Sequence, residues 1–177
     1  DILELMKNSG LYALSVGIES GSEKVLRDMK KSLTKDKIKE KLTLIKESGL
    51  KSIGFFIIGY PTETKKDILE TINFSRELPL DRATFSIFKP FPGTEITNSI
   101  IQKGEIDLKN NDFSKFMLSG AVYSPRGISI KELKNLRRKA LISFYLRTRI
   151  LFSMIRDIKN FKHFKIVMRR IFRWMLK

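Results

Sequence analysis

Apolar and polar positions along the first hundred residues switch repeatedly between a strand-like and a helical pattern. Leu11–Ile18 is an apolar run of strand composition, followed by a Gly/Ser loop and a short helix near Ser22–Lys30. From Lys35 to Ser48 the period is helical: Ile38, Leu42 and Ile45 share one face and lysines the other, the pattern of an amphipathic helix. Thr34 stands at its N-cap and Gly49 just past its end, where each residue type is favoured. Leu50–Ile58 reads as a second strand. Its core, Ile53 to Ile58, is apolar on both faces, which predicts cover from both sides in a parallel sheet. Thr64 then caps a helix to about Glu77, Ala83–Phe88 forms a third strand, and Pro90-Phe91-Pro92-Gly93 makes a stiff loop. Thr94 caps a helix that stops at Gly104. Residues 105–128 show no clear period and read as an irregular connector. Ser129-Ile130-Lys131-Glu132 has the capping-box pattern and predicts a long helix to about Ile158, with a last helix from about Phe161 to Leu176.

Strand and helix alternating through short loops predict right-handed crossovers and a parallel sheet. The expected fold class is therefore α/β: a partial (β/α) barrel of the TIM type contributing about its last three strands, followed by an α-helical C-terminal extension. Three units follow: half a barrel over residues 1–104, the connector over 105–128, and a basic helical extension over 129–177. Three strands alone leave the first sheet edge unprotected. Further strands are thus expected upstream of Asp1, and the chain is expected to be a fragment, since its first element has no capped start.

Composition sharpens this picture in two places. The 177 residues contain no cysteine and a single histidine, His163, so a thiolate-held iron–sulfur cluster or a histidine-rich zinc site cannot be built from this chain alone. The net charge of +16 is unevenly shared: residues 131–177 hold 15 Lys+Arg against Glu132 and Asp157, leaving only +3 for the front. Lys162, Lys165, Arg169, Arg173 and Lys177 form a stripe at spacings of three and four, alongside Phe164, Val167, Met168, Ile171, Trp174 and Met175. Such a helix can pack its apolar face on the barrel, lie on an anionic membrane, or bind nucleic-acid phosphates. Packing carries the most weight, the membrane less, and nucleic acid the least. No signal peptide is evident, and no uncharged apolar run reaches the roughly 18–20 residues that span a bilayer. A cytoplasmic protein is expected, with the tail as its only candidate contact to the inner membrane face.

Ligands of parallel βα arrays bind where the loops leave the C-terminal ends of the strands. Three segments occupy such places here: GIESGSEKVLRDMKKSLT from Gly17, GFFIIGYPTET from Gly54, and KPFPGTE from Lys89. Each alone is a weak signal. In this order and spacing they resemble the second half of the radical S-adenosylmethionine (SAM) barrel, in the branch that carries an upstream cobalamin domain. The resemblance covers residues 1–104 well and the tail more loosely, through Phe144-Tyr145-Leu146-Arg147.

The resemblance implies roles position by position. Glu19 matches the polar residue that contacts the SAM ribose, and a carboxylate can accept from both ribose hydroxyls; as a bland alternative it caps the following helix. Ser20 is a neighbour able to serve either purpose. Lys31 matches a basic position that meets the methionine carboxylate. Ile57 and Gly59 match the motif that packs on adenine, and Phe88 and Lys89 the strand end whose backbone reads the adenine edge. Tyr60 stands where leucine is common and Thr62 where many relatives have glycine. The family's cysteines, in a CxxxCxxC loop, hold a [4Fe–4S] cluster that cleaves SAM to a 5′-deoxyadenosyl radical, and members with cobalamin often methylate unreactive carbons. Cluster and cobalamin are both expected in the missing N-terminal part, which is the implied partner. The substrate is expected to be a small or lipid-like molecule, and this chain alone is expected to be inactive. The alternative is a non-catalytic βα module whose tail binds an anionic membrane or RNA.

Overall fold

A computed structural model describes residues 2–107 and 121–156, together with Ile158, Lys165, Ile166 and Arg169. In chain order the elements are α1 (Ile2–Asn8), β1 (Ala13–Glu19), α2 (Glu23–Asp28), α3 (Lys35–Glu47), β2 (Lys51–Ile58), α4 (Lys65–Glu77), β3 (Arg82–Ile87), α5 (Glu95–Gln102), α6 (Ile130–Tyr145) and α7 (Thr148–Arg156). The three strands form one parallel sheet in the order β1-β2-β3. This is the expected α/β arrangement with a helical C-terminal part. α1 is the first element, to which the sequence pattern gives no bounds, and α7 is the separated end of the helix expected to run to about Ile158.

The caps explain where the helices start. Thr34 accepts from the Lys37 amide, and Thr64 forms a complete capping box with Asp67. Ser129 accepts from the Glu132 amide, while the Glu132 carboxylate lies 2.6 Å from Lys65 Nζ. Thr94 departs from expectation: its hydroxyl engages the Phe91 carbonyl and the Thr97 hydroxyl, with no bond to the helix backbone. The expected long helix to Ile158 is broken after Tyr145. Arg147 terminates α6 by donating to the Phe144 carbonyl, stacking its guanidinium 4.2 Å over the Phe144 ring, and reaching the Arg76 and Leu78 carbonyls. Side chain–backbone bonds to another element thus override a continuous helical pattern. Most of the expected final helix lies outside the described residues.

One sheet face is packed. Ile18, Phe56, Ile58, Ala83, Phe85 and Ile87 share a single buried cluster with Ile38 and Leu42 of α3, Ile68 and Ile72 of α4, and Leu133, Leu136 and Ala140 of α6. Phe56 and Phe85 stack at 4.9 Å within it. The other face carries Ser15, Gly17, Phe55, Thr84 and Ser86, all exposed, with Phe55 at 41%. Cover on both sides of β2 is expected; among the described residues the second side is open at Phe55 and only partly covered at Ile57, which packs on the Phe88 cluster. The reason is positional: α3, α4 and α6 pack on the same face, so the alternate positions Ile53, Phe55 and Ile57 face away from them.

The two sheet edges differ. On the outer side of β3, the Tyr145 hydroxyl donates to the Ala83 carbonyl at 2.9 Å and accepts from the Ala83 amide at 3.3 Å. Arg137 Nε donates to the Phe85 carbonyl at 3.0 Å. Side chains of α6 therefore satisfy backbone groups that a further strand would otherwise pair. Along the outer side of β1 no strand pairs among the described residues. Replacing Tyr145 by Phe leaves the buried Ala83 groups without partners, and urea unfolding should record a loss of about 1–3 kcal/mol.

Candidate functional site

The strand ends bring the candidate residues together. Glu19 lies opposite Phe56 on the last rung between β1 and β2, Ile57 lies opposite Ser86, and the Phe88 amide extends the ladder by donating to the Ile58 carbonyl at 2.8 Å. Neighbouring strands sit about 4.8 Å apart. Glu19, Ile57, Gly59, Phe88 and Lys89 thus occupy one end of the sheet. Ser20 and Lys31 flank it on the β1 side.

Glu19 owes its place to a local irregularity. The register slips between Gly17 and Glu19, and the Ser20 amide donates back to the Ile18 carbonyl at 2.9 Å. This tight turn holds Glu19 at a φ of 65°, a backbone state uncommon for a residue with a side chain. Its carboxylate meets Lys31 Nζ at 3.1 Å, with the Glu19 side chain 16% and the Lys31 side chain 42% exposed. The alternative role of capping α2 is not taken up: Ser22 occupies the N-cap.

Ser20 points elsewhere. It is fully buried, its hydroxyl lies 3.0 Å from that of Thr71, and it accepts from the Ser22 amide. The Gly21 amide donates to Thr71 Oγ1 at 2.9 Å, and the Ser22 hydroxyl to Asp67 Oδ1 at 2.7 Å. The Ser20-Gly21-Ser22 loop is thereby riveted to α4. Burial tends to raise the Asp67 carboxyl, but hydrogen bonds from Thr64 and Ser22 outweigh it and hold the group below its usual value.

The β2–α4 turn contains the residue that pattern reading missed. Glu63 is only 3% exposed. Its Oε2 accepts from the Gly59 amide at 2.5 Å and the Tyr60 amide at 3.0 Å, while its Oε1 is buried without a partner. Burial pushes this carboxyl up to about 8 despite the two backbone donors. The signal available in the sequence was slight, a lone acid in a Pro-Thr-Glu-Thr turn. Gly59 itself has a φ of 81°, and an added Cβ would lie 2.7 Å from Leu133 Cδ2. Its lack of a side chain therefore makes room for α6 as well as for the turn.

Tyr60 and Thr62, the two departures from the resembled pattern, both reach Asp28 at the end of α2. The Tyr60 hydroxyl donates to the Asp28 carbonyl at 3.4 Å and Thr62 Oγ1 to Asp28 Oδ2 at 2.5 Å. Phe88 is sandwiched edge-on between Tyr60, at 5.3 Å, and Tyr123, at 5.9 Å. Ile57, Ile96, Ile100 and Ile106 complete this second apolar cluster. Tyr123 donates to Glu105 at 2.6 Å, so both ends of the connector fold onto the β3 exit. Lys89 is half-buried, and burial followed by the Arg137 charge lowers its ammonium pKa.

A concavity of about 270 Å³ opens at this end, lined by Asp28, Met29, Lys30, Tyr60, Glu95, Ile96 and Ser99. The larger one, about 630 Å³ and lined by Asp81, Arg149, Phe152, Ser153, Ile155 and Arg156, includes the residue preceding β3 and so lies at the opposite end of the sheet. Among the described residues no cluster of His, Cys, Asp or Glu could hold a metal ion. No described helix is long and apolar enough to cross a membrane.

A parallel βα sheet with glycine-bearing loops, a carboxylate and an apolar shelf at its C-terminal edge is the arrangement in which open α/β folds hold ligands. Residues 1–75 match the radical SAM superfamily. Along 176 residues the chain is 32% identical to an uncharacterized methyltransferase of Pyrococcus horikoshii, a match covering 99% of this chain and 37% of the relative. A protein of Methanocaldococcus jannaschii, provisionally named a methylthiotransferase, is 42% identical over 57% of this chain and 22% of its own length. Cytidylyl-2-hydroxyethylphosphonate methyltransferase of Streptomyces wedmorensis is 26% identical over 71% of this chain and 25% of its own length. The chain therefore spans little more than a third of the first of these relatives and about a quarter or less of the others.

Proposed function

We propose that this chain forms the ribose and adenine side of the SAM pocket of a radical SAM enzyme, in which Glu19 accepts from the ribose hydroxyls. The observation that carries the reading is the Glu19 carboxylate, held by a positive-φ turn at the end of β1, at the same end of the sheet as Ile57 and the Phe88–Lys89 strand end. The donor set fits a nucleoside: a carboxylate for the diol, Ile57 for the base face, and backbone groups at Phe88 and Lys89 for the base edge. Gly17 leaves open the space beside the carboxylate, because a Cβ there would lie 2.7 Å from Glu19 Oε1. Bound SAM, reduced at an iron–sulfur cluster, supplies the radical chemistry. The chain's own residues bind and orient the nucleoside.

A chain without cysteine offers no thiolate to the cluster. The cluster, and in our reading cobalamin, belong to a polypeptide segment upstream of Asp1, which completes the barrel along the outer side of β1. The methyltransferase names among the relatives support methyl transfer; the substrate, in our reading, is small or lipid-like. The test is the native gene product. Its upstream coding sequence should contain a CxxxCxxC loop behind a cobalamin-type domain, and the anaerobically reconstituted protein should release 5′-deoxyadenosine from SAM. A native protein lacking that loop contradicts the reading.

A second reading concerns α7. Phe152 and Ile155, 71% and 63% exposed, lie beside the exposed Arg149 and Arg156, and Lys165, Ile166 and Arg169 are exposed further on. Apolar side chains among arginines suit an anionic membrane surface. Co-sedimentation with vesicles should then require anionic lipid; retention by neutral vesicles alone contradicts it.

A further inference from the structure

We propose that Lys31 is a positioning residue for Glu19, holding one carboxylate oxygen so that the other is presented to a ribose diol. This inference rests on the SAM reading above and adds a positioning role for Lys31 to the contact with the methionine carboxylate that the resemblance implies.

Two backbone features converge on the pair. Glu19 and Lys30 are the only non-glycine residues with positive φ among those described. The turn at Glu19 brings its carboxylate over Gly17. Lys30, at a φ of 56°, occupies the position after the α2 cap that glycine usually takes, with the Lys30 amide bonded to the Arg27 carbonyl and the Lys31 amide to the Leu26 carbonyl. This is a Schellman ending. It sends the two adjacent lysines apart: Lys30 Nζ to Glu95 at 2.6 Å, Lys31 Nζ to Glu19 Oε1 at 3.1 Å.

Gly17 makes the arrangement possible. A Cβ at that position would stand 2.7 Å from Glu19 Oε1 and 3.9 Å from Lys31 Nζ, so the pair rests directly above a missing side chain. A carboxylate has two oxygens, each able to accept two hydrogen bonds. With Lys31 on Oε1, acceptor capacity remains for vicinal hydroxyls. Fixing a side chain before binding removes an ordering cost otherwise incurred on association, equivalent to about a two- to ten-fold change in affinity.

The test compares SAM with 5′-deoxyadenosine, which keeps the ribose and lacks the methionine moiety, by NMR titration of the whole chain. Lys31→Met should weaken 5′-deoxyadenosine about five-fold and SAM by at least that factor, and Lys31→Arg should restore most of the loss. The wild type should also prefer 5′-deoxyadenosine to its 2′,5′-dideoxy counterpart, and Lys31→Met should lose part of that preference. Lys31 is exposed, so its substitution leaves the packed core intact. If Lys31→Met weakens SAM alone, Lys31 touches the methionine carboxylate and the inference is overturned. If it weakens neither, the pair is a passive surface contact and the inference again fails. A wild type that binds neither ligand overturns the SAM reading together with it.

Discussion

Replacing Glu63 by Gln should flatten the pH dependence of stability between pH 5 and 8. Folding carries the Glu63 carboxyl from an ordinary value near 4.5 up to about 8, chiefly through burial. Across that window the folded chain keeps a proton that the unfolded chain has released. The group's contribution is thus fully present below about 4.5 and is lost as the pH rises through 8. The linkage slope is about 1.4 kcal/mol per pH unit, so the wild type should lose about 3 kcal/mol between pH 5.5 and 7.5. The Gln variant keeps an acceptor for the Gly59 and Tyr60 amides and titrates nowhere in this range. Urea midpoints at the two pH values read the difference directly. Equal slopes for wild type and variant would show that Glu63 is ionised in the folded chain.

Gly21→Ala should destabilise the chain by about 3 kcal/mol, the upper part of the range for overpacking. A Cβ at this position would lie 2.8 Å from Thr71 Cα, 2.9 Å from the Glu70 carbonyl oxygen and 2.7 Å from Phe74 Cβ. Two of these are backbone atoms of α4, and none is the mobile end of a side chain. The loop must therefore lift from the helix, which also strains the bonds from Gly21 and Ser20 to Thr71. Because the same loop carries Glu19, ligand affinity should fall along with the thermal midpoint. A variant as stable as the wild type would mean that this loop does not need its close seat on α4.

The elements of the front sheet were legible because local signals and tertiary demands coincide there. Thr34 and Thr64 cap the helices that their sequences announce, and Ile38, Leu42 and Ile45 are buried as their spacing requires. The α6–α7 break was not legible. It depends on Arg147 finding carbonyls of α4 and its following loop, residues some 70 positions away. The gathering of Glu19, Ile57, Phe88 and Lys89 follows from parallel topology alone. The finer division of labour does not: Ser20 and Glu19 are adjacent, yet a one-residue register slip sends one into α4 and the other toward Lys31. Glu63 shows the same limit, since its burial is created by elements distant in sequence and no period marks it.

The proposed nucleoside site spans the ends of the three strands. The most direct measurement is a titration of the isotope-labelled chain with 5′-deoxyadenosine, followed by amide NMR. Saturable shifts at Gly17 to Glu19, Ile57 to Tyr60 and Phe88 to Lys89, with Asp81, Arg149 and Arg156 unmoved, are the expected result. Shifts confined to the Asp81–Arg156 concavity at the opposite end, or no saturable change at all, would contradict it.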